Sequence, residues 1–245
     1  MCDLCPQTAY GWRGWNPLPP AKRLVPVGEW IDLTHEVSPT MPCASIFPTP
    51  SFELLRTLPQ DPFQVTLIHM VAHAGTHVDA PLHYYADGPD MASIPLDRMM
   101  GGGVVWHVDA KPNQVIDVDT LERCRPLIEE GDIVALDTGW AKRFGTEPYE
   151  HHPSLSADAA HWLADKNIKL LAVDFATPDL VYHLREPGFN WPVHRALLSQ
   201  GILVCEHLTG HATLAGERVE FNFNALPIVN GDGAPARVTA RRIQA

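Results

Sequence analysis

What this sequence most lacks is a surplus of cations: its 245 residues carry 18 Lys+Arg against 29 Asp+Glu, a formal net charge of -11. Phosphate backbones are bound by clustered positive charge, so this balance argues against nucleic acid as a partner. The single basic cluster, Arg237, Arg241 and Arg242, reads as a solvated tail. No apolar run approaches the roughly 20 residues of a membrane span, and the N-terminus lacks the basic-then-apolar pattern of a secretory signal. The expected address is therefore the cytoplasm, with no membrane partner. Paired cysteines are missing as well. Cys2, Cys5, Cys43, Cys124 and Cys205 are odd in number and scattered, unlike a disulfide framework. Cys2 and Cys5 form a CxxC, but without a second pair at zinc-finger spacing it reads as coincidence. Repeats and low-complexity tracts are absent too.

What is present is an ordinary apolar content of 45%, together with 23 prolines and 17 glycines, which predicts a compact, loop-rich chain. The length suits one large domain and does not force two. Residues 1–28, with Trp12, Trp15 and prolines at 17, 19 and 20, lack periodicity and read as an extended arm. Two tryptophans are seldom left loose in water, so the arm should pack on the body or on a partner subunit. Residues 29–245 then form the domain. Strands are expected at WIDL (30–33), 64–71, 101–109, 132–137, 169–174, 202–206, 219–223 and 238–243. Ser156 is a plausible N-cap for the helix in ADAAHWLADKN, and His194 opens a short helix closed by Gly201. Strands outnumber helices, and some helices connect strands, which predicts an α/β or mixed α+β class.

The chemistry concentrates in HAGTHVDAPLH, where His73, His77, Asp79 and His83 share one parity. On an extended backbone equal parity places side chains on one face, and a helix cannot pass through Pro81 intact. The segment therefore reads as strand end and loop, bent at Gly75 and Pro81 so that a line of side chains becomes a cluster. Imidazoles with a carboxylate suit zinc, manganese or iron, and the two oxygens of Asp79 can bridge a pair of ions.

HAGTHVDAPLH resembles the HxGTHxDxPxH motif of the cyclase family, which includes bacterial kynurenine formamidases and isatin hydrolases. The resemblance extends from about Trp30 through IDLTHEVSPTMP, EEGDIVALDTGW and HPSLSADAAHWLADKNIKLLAVD. It includes a second half-site, HRALLSQGILVCE, in which His194 and Glu206 stand as the formamidases space their last ligands. The resemblance implies a barrel-like mixed sheet flanked by helices, with His73, His77, Asp79, His194 and Glu206 as metal ligands and His83 as the proton-transferring residue. It further implies one or two divalent ions, Zn2+ or Mn2+, a small-molecule substrate and a homodimer or larger homo-oligomer. Formamidases carry a substrate-facing tryptophan in the loop after the opening strand; here that loop is MPCASIFPTP, which makes Phe47 the substrate-side candidate, with His35 from the opening strand beside it. The expected reaction is hydrolysis of a carbonyl C–N bond in an aryl formamide, cyclic amide or imide, or of a lactone C–O bond. The rival expectation is a non-haem iron oxygenase using His77, Asp79 and His194 as a facial triad. It leaves His73, His83 and Glu206 without a role.

Overall fold

The computed structural model describes residues 11–43 and 46–244, so the Cys2–Cys5 pair lies outside the described residues. In chain order the elements are β1 (Pro26–Asp32), β2 (Ser51–Arg56), β3 (Val65–His69), β4 (His77–Asp79), β5 (Met100–His107), β6 (Val115–Ile116), α1 (Val118–Glu122) and β7 (Ile133–Asp137). There follow β8 (Ser154–Leu155), α2 (Ala157–Asp165), β9 (Leu170–Val173), α3 (Pro192–Leu198), β10 (Leu203–Glu206), β11 (Arg218–Ala225) and β12 (Gly233–Ile243).

The main sheet runs β1-β12-β11-β5-β7-β9-β10-β4, and β4 also pairs with β12. That extra pairing closes seven strands into a barrel and leaves β1 as an outer strand on β12. Strands β5, β7, β9 and β10 are parallel, and a helix lies in each of the three crossovers that join them. Parallel neighbours require such crossovers.

Alternation along the strands gives the barrel two cores. Val78, Val105, Ala135, Ala172, Cys205, Phe221 and Val238 come from all seven strands into one cluster, the barrel interior, where alanines leave room for Phe221 and Phe223. The opposite parity, including Trp106, Val134, Leu136, Leu171 and Val204, packs outward on α2 and α3 through Ala159, Leu163, Val193 and Leu197. Near-continuous apolar strands are what a sheet buried on both faces demands. Ser156 caps α2 as expected, its Oγ accepting from the Ala159 N–H at 3.0 Å.

Several expectations are corrected. The arm ends earlier than residue 28, because Pro26–Gly28 already belong to β1. Its described part lies on the body: Arg13 and Asn16 N–H donate to Ser199 and Gln200 carbonyls, and Trp15 covers Gly201. The strand expected at 64–71 is the shorter β3, and it pairs with β2 in a hairpin separate from the barrel. Its alternation marks no buried face, and His69 is exposed. The strand expected at 238–243 begins at Gly233, because pairing of Gly233, Ala234 and Pro235 with β4 extends it past the proline.

Candidate active site

The site forms on the outer face of the barrel where β4 closes it. Val78 points inward, so His77 and Asp79 point outward, and antiparallel register sets Glu206 opposite His77 and Val204 opposite Asp79. The loop before β4 turns at Gly75, whose φ is +64°, and Pro81 opens a short 3-10 turn ending at His83. Only His77 and Asp79 share a strand face; His73 and His83 arrive from the flanking turns. Across β12, a methyl group on Gly233 would lie 2.6 Å from His73 Cε1, so the missing side chain is what admits that ring.

Four side chains make a closed ring. His77 Nε2 lies 3.2 Å from Asp79 Oδ1 and 3.4 Å from Glu206 Oε2, and His194 Nε2 lies 3.3 Å from Asp79 Oδ2 and 3.2 Å from Glu206 Oε1. His73 joins through Nδ1, 2.8 Å from Asp79 Oδ1. All five expected ligands are therefore brought together. His83 stands next to them: its ring centroid is 4.1 Å from that of His73, and its Nδ1–H donates to Asp232 Oδ2 at 3.2 Å.

Tautomers follow from the partners. His77 Nδ1–H donates to the Gly75 carbonyl at 2.8 Å and His194 Nδ1–H to Asp179 Oδ2 at 2.6 Å, so each presents Nε2 to the carboxylates. A histidine held through its far nitrogen by a carbonyl or carboxylate is the usual support of a metal ligand. Asp179 also accepts the Val193 and His194 N–H groups, fixing the start of α3. His77 Nε2 and Asp79 Oδ2 are buried, yet neither completes a well-directed hydrogen bond. Orphaned buried donors and acceptors cost free energy, and here they face one point at which a cation would satisfy them. The donor set of imidazole nitrogens and carboxylate oxygens fits a divalent transition metal.

The electrostatics agree. Burial alone would lower the His77 pKa, but Asp79 and Glu206 beside it outweigh burial and push it up to about 10. Glu206 is raised by burial and by Asp79, yet the imidazoles of His194 and His77 bring it down to about 2. His83 moves the other way: burial lowers it, His73 and His194 add to that, and the opposing pull of Asp79 is smaller.

A cavity of about 270 Å³ opens onto this cluster, lined by His73, His83, His194 and Glu206 and by the aromatics Phe47, Tyr84, Tyr149, Tyr182 and Trp191. Phe47 is thus one of the residues that line it. His35 does not line the cavity: its ring stacks on Phe144 at 3.9 Å, and its N–H donates to Thr76 Oγ1, because the opening strand runs behind the loop that carries the ligands.

A family model described as a putative cyclase matches residues 31–180. The chain belongs to the cyclase family. Within it, the chain is 31% identical over 221 residues to a kynurenine formamidase of Erythrobacter litoralis, covering 86% of this chain and 93% of that one. Among solved structures it is similar to isatin hydrolase A from Labrenzia aggregata, with TM-score 0.79, 24% identity and coverage of 88% and 94%. It is also similar to a potential metal-dependent hydrolase with cyclase activity, with TM-score 0.72, 26% identity and coverage of 89% and 99%. These neighbours share the cyclase fold described above.

Several residues of the site escape a linear reading. Asp232 holds His73 and His83 from 159 and 149 positions away, and Asp179 holds His194 across 15, with no motif to mark either. His152 and His207, which look like loop or surface residues in sequence, line the cavity; His207 Nδ1 lies 2.7 Å from the Tyr149 hydroxyl. Trp191 sits before Pro192 at a φ of +50°, a helix-entry position whose ring turns into the cavity.

Proposed function

We propose that this cyclase-family protein is a metal-dependent hydrolase of a non-peptide carbonyl C–N bond, with aryl formamides, cyclic amides or imides as its substrates. The observation that carries this reading is the closed ring of His77, Asp79, His194 and Glu206 with His83 beside it, opening through His83, His194 and Glu206 onto an aromatic cavity. The named activities of the formamidase relatives point the same way. In this proposal His73, His77, Asp79, His194 and Glu206 would hold one or two ions of zinc or manganese, the two oxygens of Asp79 facing different histidines. A bound divalent ion supplies an acidified water and polarises the carbonyl.

The remaining steps fall to the protein. His83, its Nδ1–H held by Asp232, keeps a free lone pair on Nε2 and accepts a proton from the attacking water. It returns that proton to the leaving nitrogen. The aromatic walls orient the substrate. An oxygenase built on His77, Asp79 and His194 gives Glu206 no task, although Glu206 stands as close to both imidazoles as Asp79 does. The test is hydrolysis of formanilide, a cyclic imide and a lactone by metal-stripped protein restored with zinc or manganese, under strict anaerobiosis. Turnover without oxygen is expected; turnover that requires oxygen would overturn the reading.

A homodimer in the cytoplasm completes the proposal. The β2–β3 hairpin exposes Leu54, Leu55, Leu58, Phe63, Val65 and Ile68. A lone two-stranded hairpin is marginal in water, and an apolar patch of this kind marks a contact surface. Cys124 and Cys205 are free thiols, in keeping with a reducing compartment. Light scattering should give twice the 27.1 kDa chain mass, and the double substitution Leu54→Lys, Ile68→Glu should give the single mass; a wild-type monomer would refute the dimer.

A further inference from the structure

We propose that Arg185 is the carboxylate-binding group of the active-site cavity, so that the substrate is an aryl amide bearing an ionised carboxylate. This rests on the hydrolase reading above and narrows its substrate class.

Arg185 lines the same cavity as His83, His194 and Glu206. Its Nε donates to the Leu180 carbonyl at 2.7 Å, which fixes the plane of the guanidinium. Among the described residues it forms no ion pair, and no other hydrogen bond engages its terminal nitrogens. Instead it packs on aromatic rings, 4.9 Å from the centroid of Phe189, 5.6 Å from Trp191 and 5.8 Å from Tyr182. Such contacts hold a guanidinium in place without neutralising it.

An oriented, un-neutralised fork of N–H donors in a cavity matches a planar, two-oxygen acceptor, and a carboxylate is the group that meets it bidentately. The flanking rings of Tyr84, Tyr149 and Trp191 suit a flat aromatic body between that anchor and the reacting carbonyl.

The experiment titrates the metal-loaded protein with benzoate and with benzamide, two probes of one shape that differ in charge. Benzoate should bind roughly 10- to 100-fold more tightly, the range of a charge-assisted pair. Arg185→Met should erase most of that preference while benzamide affinity stays unchanged, and Arg185→Lys should keep part of it, as a point charge without the fork. The proposal falls if wild-type protein shows no preference, or if the preference survives in Arg185→Met, which would place the carboxylate on the metal. It falls equally if Arg185→Met weakens both probes alike, because the arginine would then only be bracing its loop. In kinetics, Arg185→Met should raise KM for 2-formamidobenzoate and leave both kcat and the KM for formanilide unchanged. If neither formamide is hydrolysed, the proposed reaction fails while the paired titration still decides the role of Arg185.

Discussion

Replacing His83 by Ala is expected to lower kcat by roughly 10²- to 10⁴-fold, the usual worth of a positioned general acid–base, while metal content stays near wild type. The expectation rests on an asymmetry among the four histidines of the site. His77 and His194 each turn Nε2 into the gap between Asp79 and Glu206, and His73 leans on Asp79. His83 has no such bond; among the described residues its carboxylate partner is Asp232, which is half exposed. Burial and neighbouring imidazoles hold its pKa below the ordinary value, which favours the neutral, proton-accepting form. The check is kcat measured together with ion content by elemental analysis. His73, Asp79 and His83 also bring donor atoms near one another, so loss of both turnover and metal in the variant would make His83 a ligand.

The second large effect is on metal binding itself. Asp79→Asn should weaken metal affinity by no less than roughly 100-fold, since even outer partners of metal ligands are worth 10- to 100-fold. Asp79 is the one group that touches three of the histidines, His73, His77 and His194, and no other carboxylate in the ring can replace it. The protonation of the metal-free site adds a pH dependence with a definite sign. His77 is held up to about 10, so at neutral pH it carries a proton that an incoming ion must expel. Affinity should therefore fall as pH falls from 8 to 6, and calorimetry in buffers of different ionisation enthalpy should register at least one proton released per ion. Stability of the metal-free protein follows the same linkage: the raised pKa of His77 contributes stability fully present below about 6.5 and lost as pH rises through about 10. In Asp79→Asn both the proton release and that loss at high pH should shrink. Binding with no proton release at pH 7 would refute this account.

Much of this was legible in the linear sequence because it depends on local rules. Apolar runs such as DIVALD, KLLAVD and ILVCE became β7, β9 and β10, since a strand buried on both faces must be apolar at every position. Ser156 became the α2 cap, because capping is decided within four residues. Strand β2, the exposure of its hairpin with β3 and the proline-containing start of β12 escaped, since a strand pattern does not say which sheet it joins or whether anything covers it.

The donor-bearing residues of HAGTHVDAPLH and their spacing were determined by the sequence alone, because donor chemistry and chain spacing are written residue by residue, and the resemblance to the cyclase family pointed to His194 and Glu206 in HRALLSQGILVCE. Tertiary structure alone decided the rest. Barrel closure sets three-residue β4 between β10 and β12, and that pairing brings Glu206 opposite His77, and Asp232 beside His73 and His83. It also turned His35 away from the cavity and brought Arg185 and Trp191 into it. Contacts between residues more than a hundred positions apart are fixed by sheet register and by which face each strand buries, and no local pattern encodes either.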